Sequence, residues 1–128
     1  MKQSNFQFSN PRLLNICYSV NENFNNECVK FSIKNEVSKH LTEEKKHEAL
    51  VSLKVTMGDQ TENYPFFISL EIASFFKVED DISDQDFDKL LEINAPAMLL
   101  SYARPMVSLI TSQSGYPAFD IPFINFTE

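Results

Sequence analysis

The sequence predicts an α+β domain, a four-stranded antiparallel meander with one face covered by a long C-terminal helix layer. Three observations predict it. Four stretches alternate apolar and polar residues with period two, the mark of strands buried on one face only. Parallel strands would read as continuous apolar runs, and the connections here are too short for helical crossovers. After about residue 80 the apolar period changes from that of a strand to that of a helix.

Residues 1–128 are read as a single domain, with residues 1–11 frayed up to the Asn10-Pro11 punctuation. In the first strand Leu14, Ile16, Tyr18 and Val20 share one face, with Asn15, Cys17 and Ser19 opposite. Asn21 to Asn26 is asparagine-rich and suits a turn. Val29, Phe31, Ile33 and Val37 alternate with Lys30, Ser32, Lys34 and Glu36, and Ser38 to Lys46 follows as a charged excursion. Ala49, Val51, Leu53, Val55 and Met57 form the third set, and Gly58-Asp59 ends it. Phe66, Ile68, Leu70 and Ile72 form the fourth.

Ser83 and Asp86 resemble a capping box, so a short helix is expected from about Asp84 to Glu92. Asn94 is expected to cap a second helix, with Pro96 in its first turn and Gly115 and Pro117 ending it near Ser112. Pro105 lies inside this helix and should kink it. From Ala95 to Ile110 the only charge is Arg104. Leu99, Tyr102, Ala103, Met106 and Ile110 are read as one stripe, widened by Met98, Leu100, Val107 and Leu109 around most of the circumference. A helix lying on a sheet needs an apolar stripe only about a hundred degrees wide. The excess predicts burial between subunits, through Met98, Leu99, Tyr102, Met106, Leu109 and Ile110. The tail from Tyr116 to Phe126 is held extended by Pro117 and Pro122 and is unusually aromatic.

Composition excludes several function classes. The 128 residues carry a formal charge of −7, which disfavours nucleic acid and anionic membranes and suits basic partners. The N-terminal residues lack the apolar core of a signal peptide, and the stretch Ile93 to Ile110 is too interrupted to span a bilayer, so a cytoplasmic protein is expected. Cys17 and Cys28 are read as reduced thiols rather than a disulfide framework. His40 and His47 have no zinc spacing and are expected to be solvated. With only two glycines there is no phosphate-cradling loop or dinucleotide fingerprint, and no nucleophile elbow is present. The acidic run Glu79, Asp80, Asp81, Asp84, Asp86, Asp88 lacks the glycine and glutamate of a calcium loop and is read as a solvated helix entrance or a docking face for a basic partner. No enzyme, metal or cofactor is expected.

Asn94-Ala95-Pro96-Ala97-Met98-Leu99-Leu100-Ser101-Tyr102-Ala103-Arg104, then Gly115-Tyr116-Pro117, then Ile121-Pro122-Phe123-Ile124-Asn125-Phe126, resembles the SecB export chaperones. That family has four antiparallel strands before a helix carrying a proline-tyrosine-alanine-arginine run. The resemblance implies an ATP-independent holdase for unfolded or nascent polypeptides, including export precursors, assembled as a dimer or dimer of dimers (a tetramer) and handing precursors to the SecA motor. It places Tyr116, Pro117 and Phe119 on a groove-forming loop and Phe123 and Phe126 just beyond, with Phe76 counted among the groove residues. Tyr102, Ala103 and Arg104 fall on the helix motif. Pro105 departs from the family's usual glutamate, no counterpart of its second helix and acidic tail follows before Glu128, and Cys17 and Asn21 stand near the positions of its motor-docking acids. Holding polypeptide is therefore expected ahead of delivery to SecA. The competing reading is a dedicated partner-binding or scaffold protein, such as an antitoxin-specific SecB-like chaperone, docking through Glu79, Asp80 and Asp81.

Overall fold

Alternation becomes burial most completely in two central strands, β4 (Glu48–Met57) and β5 (Phe66–Val78). Ala49, Val51, Leu53, Val55 and Met57 point to the same side as Phe66, Ile68, Leu70, Ile72, Phe76 and Val78, and all are buried. Across the pair Leu53 faces Ile72, Val55 faces Leu70 and Met57 faces Ile68. The computed structural model describes residues 6–25, 33–41, 47–58, 64–78 and 82–127; Val29, Phe31 and Cys28 lie outside them. At the end of β4, Gly58 takes a φ of 81°, in the left-handed region open to glycine.

β3 (Ile33–Leu41) pairs antiparallel with β4, and β2 (Arg12–Val20) with β5. A short β1 (Phe6–Phe8) pairs with the last residues of β5, Phe6 opposite Val78. The expected antiparallel sheet with one face covered by C-terminal helix is present, but the meander is corrected. The order is β1–β5–β4–β3, with β2 beside β1 along the same edge of β5. A meander would put β2 next to β3. β5 is 13 residues long, enough to hold β1 and β2 on one edge and β4 on the other.

The frayed start is corrected too, for residues 6–8. Ser9 fastens the corner between β1 and β2: its N–H donates to the Phe75 carbonyl at 3.0 Å, and its Oγ accepts from the Phe75 N–H at 3.1 Å. The buried Ser74 hydroxyl donates to the Ser9 carbonyl at 2.7 Å. Asn21 closes the other end of β2, its side chain donating to the Tyr64 carbonyl at 2.7 Å and accepting from the Asn23 N–H at 3.1 Å.

Helix begins where the capping pattern placed it. Ser83 Oγ accepts from the Asp86 N–H at 3.1 Å and opens α1 (Asp84–Lys89). Asn94, expected to cap a new helix, has helical φ and ψ and no side-chain cap bond. The run continues instead through a widened turn over Leu90–Asn94, in which the Ala95 N–H reaches the Leu90 carbonyl five residues back. This turn falls immediately before Pro96, whose missing N–H would interrupt an ordinary ladder. α2 (Ala95–Thr111) then passes unbroken through Pro105.

The side of α2 on the sheet is Leu99, Leu100, Ala103, Val107 and Thr111, all buried against β4 and β5. Of the expected stripe Leu99 and Ala103 are buried, Met106 and Ile110 are half-buried and pack against the core, and Tyr102 is exposed. His47 is corrected as well. It is buried, with a φ of 58°, and its Nε2–H donates to Asp84 Oδ1 at 3.1 Å while its ring meets that of Phe87. His40 is exposed. Lys39 ties the free edge of the sheet to the helix, 3.1 Å from Glu92 and 3.5 Å from Asp88. Burial works to lower its pKa, but the bonds and charges of Glu92 and Asp88 hold it above the ordinary lysine value. So exposed a pair contributes little to stability.

Candidate functional site

The tail is set by how α2 ends. The N–H groups of Ser112, Gln113 and Ser114 donate back to Ser108, Ile110 and Thr111, and Gly115 then turns the chain with a φ of 87°. Thr111 governs the return. It is fully buried, its Oγ1 donates to the Val107 carbonyl at 2.7 Å, and the same oxygen accepts from the Phe119 N–H at 2.8 Å. One hydroxyl thus satisfies a helix-end carbonyl and fixes the tail's register. Phe119 and Ile121 follow it into the core, while Ile124 and Phe126 pack against the core's rim.

Between those anchors Phe123 is driven outward and is 92% exposed. The Arg104 guanidinium stands 5.3 Å from its ring centre, a cation–π contact. Beside the pair is a hollow of about 370 Å³ lined by Arg104, Pro105, Ser108, Asp120 and Ile121. Tyr116, partly exposed, meets Phe24 edge to face with ring centres 5.3 Å apart.

The expected groove residues therefore divide. Tyr116, Pro117 and Phe123 are exposed, and Phe126 is half-buried against the core. Phe119 is buried. Phe76 is fully buried at the far end of β5, stacked between Phe6 and Phe8 with ring centres 5.3 and 5.9 Å away, so its place in a groove is corrected. Among the expected interface residues Leu99 faces the sheet and is corrected to core. Met98, Met106 and Ile110 are half-buried and pack against the core, whereas Tyr102 and Leu109 are exposed, Leu109 at 67%. Glu79, Asp80 and Asp81 lie outside the described residues.

Thr111, Ser108 and Asp120 carry no signature in the sequence, whereas Arg104 stands out as the only charge on its helix. Among the described residues no three His, Cys, Asp or Glu side chains are grouped to hold a metal ion, and no helix is long and apolar enough to cross a membrane. What the site offers is apolar and aromatic surface, one guanidinium and one carboxylate.

The family model of SecB, the preprotein translocase subunit, matches residues 8–128. The chain belongs to the SecB family. Its curated relatives include the uncharacterized protein MJ0357 of Methanocaldococcus jannaschii, 25% identical over 122 residues that cover 93% of this chain and 78% of that protein. The protein-export protein SecB of Jannaschia is 30% identical over 66% of this SecB-family chain and 51% of its own length. The SecB of Roseobacter denitrificans is 30% identical, over 70% and 54%. The chain thus spans about half the length of these protein-export relatives.

Solved structures share the fold. The Rv1957 SecB-like chaperone of Mycobacterium tuberculosis, in complex with a ChAD peptide from the HigA1 antitoxin, superposes with a TM-score of 0.68 at 16% identity, over 93% of this chain and 90% of that one. A protein of unknown function from Streptococcus agalactiae gives 0.54 at 13% identity, over 92% and 97%. The SecB fold accordingly holds for this chain, and with it membership of a chaperone family rather than an enzyme family.

Proposed function

We propose that this SecB-family chain is an ATP-independent holdase that captures unfolded or nascent polypeptides in the cytoplasm through the apolar surface of its tail and helix. The observation that carries the reading is Phe123, 92% exposed between residues anchored in the core. An isolated exposed ring is unremarked on most surfaces. This one is fixed outward beside Arg104, and a client covering it gains roughly 1.5–3 kcal/mol. Three or four such contacts along an extended chain reach about micromolar affinity after ordering costs.

The test is calorimetric titration with a chemically reduced, permanently unfolded protein at low and high salt. Micromolar binding that survives high salt is expected, and Phe123→Ser should weaken it about tenfold without moving the melting temperature. Unchanged affinity in that variant removes the tail from the site, and no binding at either salt ends the holdase reading.

We further propose a homo-oligomer, a dimer or dimer of dimers, closed over α2 through exposed Tyr102 and Leu109 and the half-buried Met98, Met106 and Ile110. Sedimentation at micromolar concentration should show a multimer that Leu109→Lys dissociates; a stable monomer in the unmodified chain would sink this interface. Holding polypeptide is placed ahead of delivery to SecA. A second reading is an antitoxin-specific or other dedicated chaperone. The SecB-like structural neighbour bound to an antitoxin peptide favours it, as do the exposed acids Asp84 and Asp86 at the entrance of α1. It predicts one stoichiometric partner and binding that high salt abolishes.

A further inference from the structure

We propose that the hollow beside Phe123 is a pocket for one aromatic side chain of the bound polypeptide, and that it selects rings carrying a hydrogen-bond donor, tyrosine and tryptophan, over phenylalanine and leucine. The proposal rests on the polypeptide-binding reading above and names what that site selects.

The walls supply three kinds of chemistry. Ile121, fully buried, and Pro105 give the hollow an apolar lining. Arg104 lines it too, and its guanidinium already takes the ring of Phe123 at 5.3 Å. Among the described residues no carboxylate lies within ion-pair distance of that guanidinium. A planar cation that is not paired is free to stack on an aromatic face, and such contacts strengthen as water is excluded. Asp120, on the exposed stretch of tail between Phe119 and Ile121, adds a carboxylate that only accepts, and Ser108 adds a hydroxyl.

A phenol O–H or indole N–H has a partner in such a hollow. A leucine has none and makes no contact with the cation. The hollow is also separate from the proposed subunit face. Arg104 and Ser108, four residues apart, share one flank of α2, whereas Tyr102 and Leu109 lie on another. Phe123 stands against Arg104 at the wall of the hollow, so an extended client lying along the tail presents one side chain to it.

The test uses the full chain and four otherwise identical unstructured peptides that carry Trp, Tyr, Phe or Leu at one central position. The chain contains no tryptophan, so indole emission from the Trp peptide reports binding directly. Trp and Tyr peptides are expected to bind about tenfold more tightly than the Leu peptide, with Phe between. Arg104→Met should draw all three aromatic peptides toward the Leu value. Asp120→Ala, at an exposed position, should erase the advantage of Trp and Tyr over Phe and keep that of Phe over Leu. Equal affinities for the four peptides, or preferences unmoved by both substitutions, overturn the pocket and leave polypeptide binding standing. Failure of every peptide and of the unfolded protein to bind overturns both.

Discussion

Replacing Phe76 by alanine is expected to destabilise the chain by about 3–5 kcal/mol, the range for a fully buried ring that leaves a cavity. Phe76 is 0% exposed and is the shared partner of two rings, Phe6 at 5.3 Å and Phe8 at 5.9 Å. β1 is only three residues long and pairs through Phe6 to Val78, Gln7 to Lys77 and Phe8 to Phe76. So short a strand has few ladder bonds, and the stacked rings hold it together with the Ser9 corner. The substitution should therefore act twice, opening a cavity under β5 and releasing β1. Urea unfolding measures the first effect. Amide exchange at residues 6–8 measures the second, and should rise well above the change seen in β4. A loss under about 1 kcal/mol with β1 still protected would mean that the neighbouring rings close the gap. Since domains of this size are stable by about 5–15 kcal/mol, the variant should sit near the edge of folding at body temperature.

The second large effect is expected from Gly58→Ala. The backbone there has a φ of 81°, and an added Cβ would stand 2.2 Å from the Phe66 carbonyl oxygen and 3.3 Å from its carbon. The obstacle is backbone in the adjoining strand, so no side-chain rotation relieves it. Strain and collision together should cost roughly 3–4 kcal/mol. Gly115 provides the control. Its φ is 87°, but a Cβ there meets nothing within 4 Å. Gly115→Ala should therefore lose only the conformational part, about 1–2 kcal/mol. Urea melts of the two variants side by side separate collision from conformation. Equal losses would show that the left-handed backbone alone accounts for both.

These two positions also mark how far the sequence was legible. Gly58 stood at a turn by its pattern, and the alternation through Phe66, Ile68 and Leu70 gave the inner face directly, because a period of two leaves no choice once one face is buried. Ser74 and Phe75 broke the pattern, so β5 read as ending near Ala73 and Phe76 fell outside it. The strand in fact runs to Val78, with Ser74 tolerated inside because Ser9 satisfies its hydroxyl. Strand neighbours were not legible at all. Which face a residue takes is local information, whereas the pairing of β2 with β5 depends on chain that lies some fifty residues away.

The helices repeat the lesson. Ser83 was readable because capping chemistry sits within four residues. Asn94 looked like a cap for the same reason, but the chain had a second solution, a widened turn ahead of Pro96. In the tail the aromatics were conspicuous, yet their division into buried Phe119 and exposed Phe123 turned on Thr111. That polar residue stands eight positions before Phe119 and carries no signature of its own.

The strand order has a consequence for the protein's own synthesis. β4 and β5 are neighbours in sequence and can close on each other as soon as both have emerged, whereas Phe6 has no partner until Val78 has been made. β2, with Leu13, Leu14 and Val20 nearly half exposed even in the finished domain, waits equally long for the same strand. Closing such long loops is slow relative to local pairing and leaves strand edges open in the interval. Residues 6–20 thus spend the growth of the next fifty as an unpaired, aromatic-bearing segment, resembling the nascent clients that the finished fold is proposed to hold.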